Sequence, residues 1–204
     1  MKPTEKTILI ATGNRGKLLE FQNMLADFPV RLLSLADFPD APEVIESGST
    51  FGENARLKAV GYAAYTSVAS VADDSGLQID ILNGGPGVLS ARYGGEGTGF
   101  DEKMGMLLQE IAAKGVNDRR ARFVCHIAVA DAAGRILHES EGICEGTIAR
   151  EPRGNGGFGY DPIFIPKGYE RTYAELPATV KREISHRSRA FRSIIPFLQD
   201  FIAD

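Results

Sequence analysis

Strands and helices packed around a sizeable core are what this sequence predicts, and two observations lead there. Strand-like and helix-like stretches alternate: residues 7–12 read as a buried strand, Leu18, Phe21, Met24 and Leu25 mark the apolar face of a helix, and residues 30–35 read as a second strand. The chain has 204 residues, 43% of them hydrophobic, so it can bury a sizeable core as one large domain or two packed lobes. No internal repeat, low-complexity tract or Pro/Ser-rich linker marks a boundary, so residues 1–204 read as a single domain.

Charge and composition narrow the partners. Lys plus Arg number 23 and Asp plus Glu 27, a net charge of −4 that offers no broad footprint for nucleic acid. An anionic ligand must therefore be met locally or through a metal. Cys125 and Cys144 are the only cysteines and both lie in apolar stretches, which fits a reduced, cytoplasmic protein better than a disulfide framework. The N-terminal residues show no cleavage pattern, and no apolar run approaches the roughly 20 residues of a membrane span.

The first strand leads into Gly13-Asn14-Arg15-Gly16-Lys17. A glycine-bearing loop at a helix start gathers unpaired backbone N–H groups and the positive end of the helix dipole, so with Arg15 and Lys17 it can hold phosphate. A plain strand-to-helix turn is the alternative. A P-loop is excluded, because Ala11 and Leu18 occupy the first glycine and Ser/Thr positions of that motif. Residues 49–53 read as a helix start capped by Ser49 or Thr50, and residues 54–65 continue it as an Ala-rich helix in which Asn54 and Lys58 share a face, as a solvated stripe also would. Glu46 stands just ahead of it.

Val71-Ala72-Asp73-Asp74-Ser75-Gly76-Leu77 is the stretch around which these features gather. The small and β-branched residues at 67–72 predict a buried strand that stops where the acids begin. Successive strand side chains face opposite ways, so one aspartate is expected to bind and the other to brace. Asp-Asp-Ser-Gly is also ordinary turn chemistry.

Residues 77–82 read as another strand, residues 101–111 as a helix, and residues 122–131 and 136–148 as paired strands. His126 and His138 lack metal-ligand spacing to either cysteine and read as structural. Gly154, Gly156 and Gly159 spell GxGxxG, but the motif runs into a strand-like segment rather than opening a helix, which removes a dinucleotide reading. There Phe158 and Tyr160 either stack on a ligand ring or anchor the loop in the core. Ser185 is a candidate N-cap for a last helix whose apolar residues include Phe191, Ile194 and Leu198, and Pro196 predicts a kink or break in it.

Taken together, Ala11-Thr12-Gly13-Asn14-Arg15-Gly16-Lys17, Thr50-Phe51-Gly52-Glu53-Asn54-Ala55 with Lys58, Ala72-Asp73-Asp74-Ser75-Gly76-Leu77, Ser90-Ala91-Arg92-Tyr93, Gly157-Phe158-Gly159-Tyr160-Asp161-Pro162-Ile163-Phe164 and Ile184-Ser185-His186-Arg187 resemble the inosine triphosphate pyrophosphatase family in its bacterial dITP/XTP form. The resemblance implies an α/β fold in two lobes around a long mixed β-sheet with flanking helices, an active-site cleft between the lobes, and a homodimer. It implies Mg²⁺-dependent hydrolysis of ITP, dITP and XTP to the monophosphate and pyrophosphate. Carried over residue by residue, it implies that Thr12, Gly13, Asn14, Arg15, Gly16 and Lys17 hold the triphosphate and that Asp74 accepts a proton. Glu46, Asp74 and Asp73 would serve the metal, and Ser75, Phe158, Gly159, Tyr160, Asp161, Lys181, His186 and Arg187 the nucleotide. Met104, Met106 and Cys144 depart from the family pattern. Two rival readings remain: a Mg²⁺-dependent phosphatase releasing orthophosphate, and a non-enzymatic nucleotide-binding regulator.

Overall fold

The computed structural model describes residues 6–95, 97–115 and 117–203. In chain order its elements are β1 (Lys6–Ile10), α1 (Arg15–Leu25), β2 (Val30–Ser34), α2 (Phe51–Thr66), β3 (Ala69–Ile79), β4 (Gly85–Pro86), α3 (Phe100–Ala113), β5 (Arg120–Ala130), β6 (Ile136–Ile148), β7 (Phe164–Pro166), α4 (Ala178–Ile184) and α5 (His186–Ala203). Among the described residues they form a seven-stranded sheet in the order β2-β1-β3-β5-β6-β7, with β4 paired to β3. β1 runs parallel to β2 and β3, whereas β4 and β7 run antiparallel to their partners, so the sheet is mixed and the fold is α/β. No described helix is long and apolar enough to cross a membrane.

The chain divides into two compact units. The first comprises Met1–Asp74, Cys125–Gly142 and Ser188–Asp204, and the second Ser75–Val124 and Ile143–Arg187. In the first, strand alternation sorts the core into two clusters. Ile8, Ile10 and Val71 pack with Phe21 and Leu25 of α1 and with Phe191, Ile194 and Leu198 of α5. Leu9 and Ala72 pack instead with Ala55, Ala59 and Ala63 of α2. The period of two in the strands thus meets the stripes of α1 and α5 on one face and that of α2 on the other. In the second unit, Leu77, Leu107, Ile111, Phe123, Tyr160, Phe164 and Tyr173 form the core, with the rings of Phe123 and Phe164 4.7 Å apart. Each large apolar side chain buried this way contributes about 1.5–3 kcal/mol.

Three local expectations are corrected. β3 does not end at the acids but continues through Asp73, Asp74, Ser75 and Gly76 to Ile79, and the stretch expected as a separate strand is its second half followed by a 3₁₀ turn at Asp80–Leu82. Charged residues can stay in a buried strand when partners neutralise them, and they do so here. The last helix continues through Pro196 without a break, with Ile194 and Leu198 fully buried on either side of it. The tertiary packing of that face outweighs the roughly 3 kcal/mol that an interior proline costs. Cys125 and Cys144 are both buried, and neither is in a disulfide.

Candidate active site

Because β3 is unbroken, its alternation carries on past Val71 and Ala72 and sends the two aspartates to opposite faces. Asp73 lies with α1: its Oδ2 is 3.1 Å from Lys17 Nζ and 3.7 Å from Cys125 Sγ. Asp74 lies with α2: its Oδ2 accepts from Asn54 Nδ2 at 3.1 Å, and its Oδ1 is 3.2 Å from Lys58 Nζ. Lys58 Nζ also lies 2.5 Å from Glu46 Oε1. The expectation that one aspartate binds while the other braces therefore acquires a geometry. Asp73 pairs with the lysine of the first helix, and Asp74 shares a lysine with Glu46.

The start of α2 is built to hold this arrangement. Thr50 and Glu53 form a capping box, Glu53 N donating to Thr50 Oγ1 at 3.2 Å and Thr50 N to Glu53 Oε2 at 3.1 Å. Ser49 adds a backbone bond of 2.6 Å and a hydroxyl bond of 2.8 Å to the same Glu53 oxygen. One turn on, Asn54 is fully buried, and Gly48 N donates to its Oδ1 at 2.8 Å. That bond fixes which end of the amide faces Asp74, because the oxygen is taken and only the NH₂ is left to donate. A Cβ at Gly48 would stand 2.7 Å from Asn54 Oδ1, so the close approach requires glycine. Asn54 and Lys58 were not among the expected site residues, since their shared face reads equally well as a solvated stripe. Their spacing of four beside an acidic strand was the available signal.

Burial shifts the two charged partners differently. Burial raises the Asp74 pKa above its ordinary 3.8, more than Lys58 and Lys17 pull it down. Burial also pulls the Lys58 pKa down, but Asp74, Asp73 and Glu46 together outweigh it and leave it above 10.5. The contribution of Lys58 to stability is therefore fully present below pH 10.5 and is lost only as pH climbs through its higher folded-state pKa.

The glycine loop is tied to the same strand, Ala11 N donating to Val71 O at 2.9 Å. Thr12 Oγ1 accepts from Asn14 N at 3.2 Å, and Asn14 Oδ1 caps α1 by accepting from Lys17 N at 3.0 Å. The Asn14 side chain is thus occupied by the helix. Gly13, with open space where a Cβ would be, and Arg15 are exposed, and no acid stands in the first turn of α1.

The remaining expected residues lie in the second unit. Ser75 Oγ accepts from Arg187 Nη2 at 2.8 Å, and Arg187 is only 1% exposed. Asp161 Oδ2 accepts from Phe158 N at 2.8 Å and pairs with Lys181 Nζ at 2.5 Å, while Lys181 Nζ lies 4.2 Å above the half-buried Phe158 ring. Gly157 adopts φ +71°, and a Cβ there would run into the Asp161 carboxylate; Gly159 adopts φ +65°. Tyr160 anchors this loop rather than offering a stacking face: it is buried, its hydroxyl donates to Ser90 O at 2.9 Å, and its ring meets Phe100 edge-on. Burial accordingly pushes the Tyr160 hydroxyl pKa up. His186 is stacked on Phe123 with ring centroids 4.7 Å apart.

His126 and His138 keep structural roles: His126 Nε2 lies 3.1 Å from Glu139 Oε1, and His138 stacks on Phe197. Among the described residues, no group of three His, Cys, Asp or Glu side chains is arranged to hold a metal ion. The expected trio is divided because Asp73 faces Lys17, leaving Glu46 and Asp74 as the pair that converges.

Fold and side chains together define an α/β protein in which one central strand, β3, carries two adjacent acids, each matched to its own lysine. The chain belongs to the Ham1 family, whose family model matches residues 8–197. It is 46% identical over 187 residues to the dITP/XTP pyrophosphatase of Desulfotalea psychrophila, covering 92% of this chain and 82% of that one. To the dITP/XTP pyrophosphatase of Oceanobacillus iheyensis it is 45% identical over 194 residues, covering 95% and 98%. The solved structure of a HAM1 protein from Coxiella burnetii superposes with a TM-score of 0.88 at 41% identity, covering 96% of this chain and 99% of that one. The resemblance read from the motifs is borne out.

Proposed function

We propose that this protein hydrolyses noncanonical purine nucleoside triphosphates, namely dITP, XTP and ITP, to the nucleoside monophosphate and pyrophosphate. The carrying observation is Asp74, a buried carboxylate with raised pKa, oriented by Asn54 and Lys58 beside Glu46. Similarity to relatives named dITP/XTP pyrophosphatase supports the same reading. Asp74 accepts the proton of a water that attacks the α-phosphorus, a new P–O bond forms, and the bond from that phosphorus to the α,β-bridging oxygen breaks, releasing pyrophosphate. Lys17 and the N–H groups at the start of α1 meet charge developing on the phosphates. Ser75, Phe158, Lys181, His186 and Arg187 take the nucleoside end.

Mg²⁺ fits the residues present. Two carboxylate oxygens converge on one cation, the Lys58 ammonium, and hard oxygen donors suit Mg²⁺. Glu46 and Asp74 would hold the ion, whose chemistry there is to neutralise charge on the phosphate oxygens; Asp73 braces Lys17. Selection against ATP follows from purine position 6, an acceptor in hypoxanthine and xanthine but a donor in adenine. Donors such as Arg187 would then face a donor, leaving buried polar groups unpaired at roughly 1–3 kcal/mol each. The same reading places the enzyme in the cytoplasm as a homodimer, which sedimentation of the purified protein checks.

A product-resolved panel of triphosphates tests the proposal. With Mg²⁺, dITP, XTP and ITP should yield monophosphate and pyrophosphate far faster than ATP or GTP, and EDTA should abolish turnover. Stepwise orthophosphate release would instead indicate a phosphatase, and binding without turnover a regulator. Because the base must be ionised, kcat/KM should fall on the acid side with an inflection above 3.8, the ordinary aspartate value. A profile flat down to that value removes Asp74 from the role.

A further inference from the structure

We infer that Lys58 is a built-in counter-ion that keeps Glu46 and Asp74 closed to divalent metal until a triphosphate is bound, so that metal enters together with nucleotide. The inference rests on the hydrolase reading above and specifies the order in which its site is filled.

Lys58 Nζ lies 2.5 Å from Glu46 Oε1 and 3.2 Å from Asp74 Oδ1. A Mg²⁺ or Mn²⁺ ion bound by those two oxygens would sit about 2.0–2.2 Å from each, in the space the ammonium occupies. Two cations cannot share it, because like charges at such separations repel strongly wherever water is scarce. Water is scarce here: the side chains of Lys58, Glu46 and Asp74 are 13%, 27% and 10% exposed. The ammonium is therefore a competitor for metal rather than a screened surface charge.

The rest of the arrangement lets Lys58 withdraw without dismantling the site. Asp74 is held through its other oxygen by Asn54, and the Asn54 amide is fixed in turn by Gly48 N. The start of α2 is secured by its own capping box, so only the flexible lysine side chain has to move. A bound triphosphate supplies what withdrawal needs, namely anionic oxygens that re-pair the ammonium and add ligands for the metal. Without nucleotide, a metal ion would have to displace a buried ammonium while, among the described residues, no third carboxylate, histidine or cysteine is grouped with Glu46 and Asp74 to help hold it.

The test is Mn²⁺ binding to nucleotide-free protein, followed by electron paramagnetic resonance of free Mn²⁺. Wild type should bind weakly, Lys58→Met at least tenfold more tightly, and Lys58→Arg as weakly as wild type because the charge is kept. Mn²⁺ should raise the Tm of Lys58→Met and leave that of wild type unchanged, and adding Glu46→Gln to Lys58→Met should erase the gain. Equal Mn²⁺ affinity in wild type and Lys58→Met overturns the inference. Tight binding by nucleotide-free wild type does so too, without requiring any variant to fold. Either result would leave hydrolysis by wild type in the product panel untouched, so the two readings fail separately.

Discussion

Asp74→Asn is expected to lower the turnover of dITP by about 10²–10⁴-fold, the usual loss when a positioned general base is removed. The substitution keeps the shape of the side chain but leaves nothing that takes a proton at neutral pH. It also sets an NH₂ group against either the Lys58 ammonium or the Asn54 amide, both of which donate to the carboxylate. Stability should change little, by about 1–2 kcal/mol, because burial already disfavours the ionised form that is lost and Lys58 keeps Glu46 as a partner. Pyrophosphate release measured beside a thermal melt separates the two effects. Near-normal turnover in a folded variant would remove Asp74 from the chemistry, and an unfolded variant would show that its bonds to Asn54 and Lys58 are structural first.

Asp161→Ala is expected to produce the largest loss of stability, about 3–5 kcal/mol, because it removes the carboxylate of a buried ion pair. Lys181 and Asp161 have side chains 10% and 3% exposed, and the same carboxylate oxygen accepts from Phe158 N. Removing it leaves an ammonium and a backbone donor without that acceptor, in the loop that carries Phe158 and Tyr160. For a chain of this length the Tm should fall by about 6–20 °C. Lys167 and Glu145 form the control: their pair is similarly short, 2.8 Å, but 78% and 63% exposed, and Glu145→Ala should leave the melting temperature nearly unchanged. Equal melting temperatures for the two variants would mean that burial of the Lys181 pair is not what gives it weight.

What was legible in the sequence was whatever local pattern controls. Alternation of periods marked β1, α1, β2, β5 and β6 to within a few residues, since each buries a stripe against a neighbour. The acids, the glycine loop and Lys17 could be singled out because their residue types are unusual at those positions. What could not be read depended on distant partners. Nothing local shows that Asp73 and Asp74 can remain in a strand, because the partners that permit it are Lys17 on α1 and Asn54 and Lys58 on α2. Tyr160 looks the same in sequence whether it stacks on a ligand or anchors a loop, and only its bond to Ser90 O decides. Pro196 likewise reads as a breaker until the buried residues around it hold the helix together.

The continuous run of β3 also governs which sequence changes this protein can tolerate. Inserting or deleting one residue between Ala69 and Asp73 would slip the strand by one position, exchanging the partners of the two acids and turning Val71 and Ala72 toward the wrong helices. A two-residue change would preserve the facing but shift both carboxylates along the strand by about 7 Å, beyond reach of either lysine. Length variation in this family member therefore belongs in the loops, while this segment stays locked in phase.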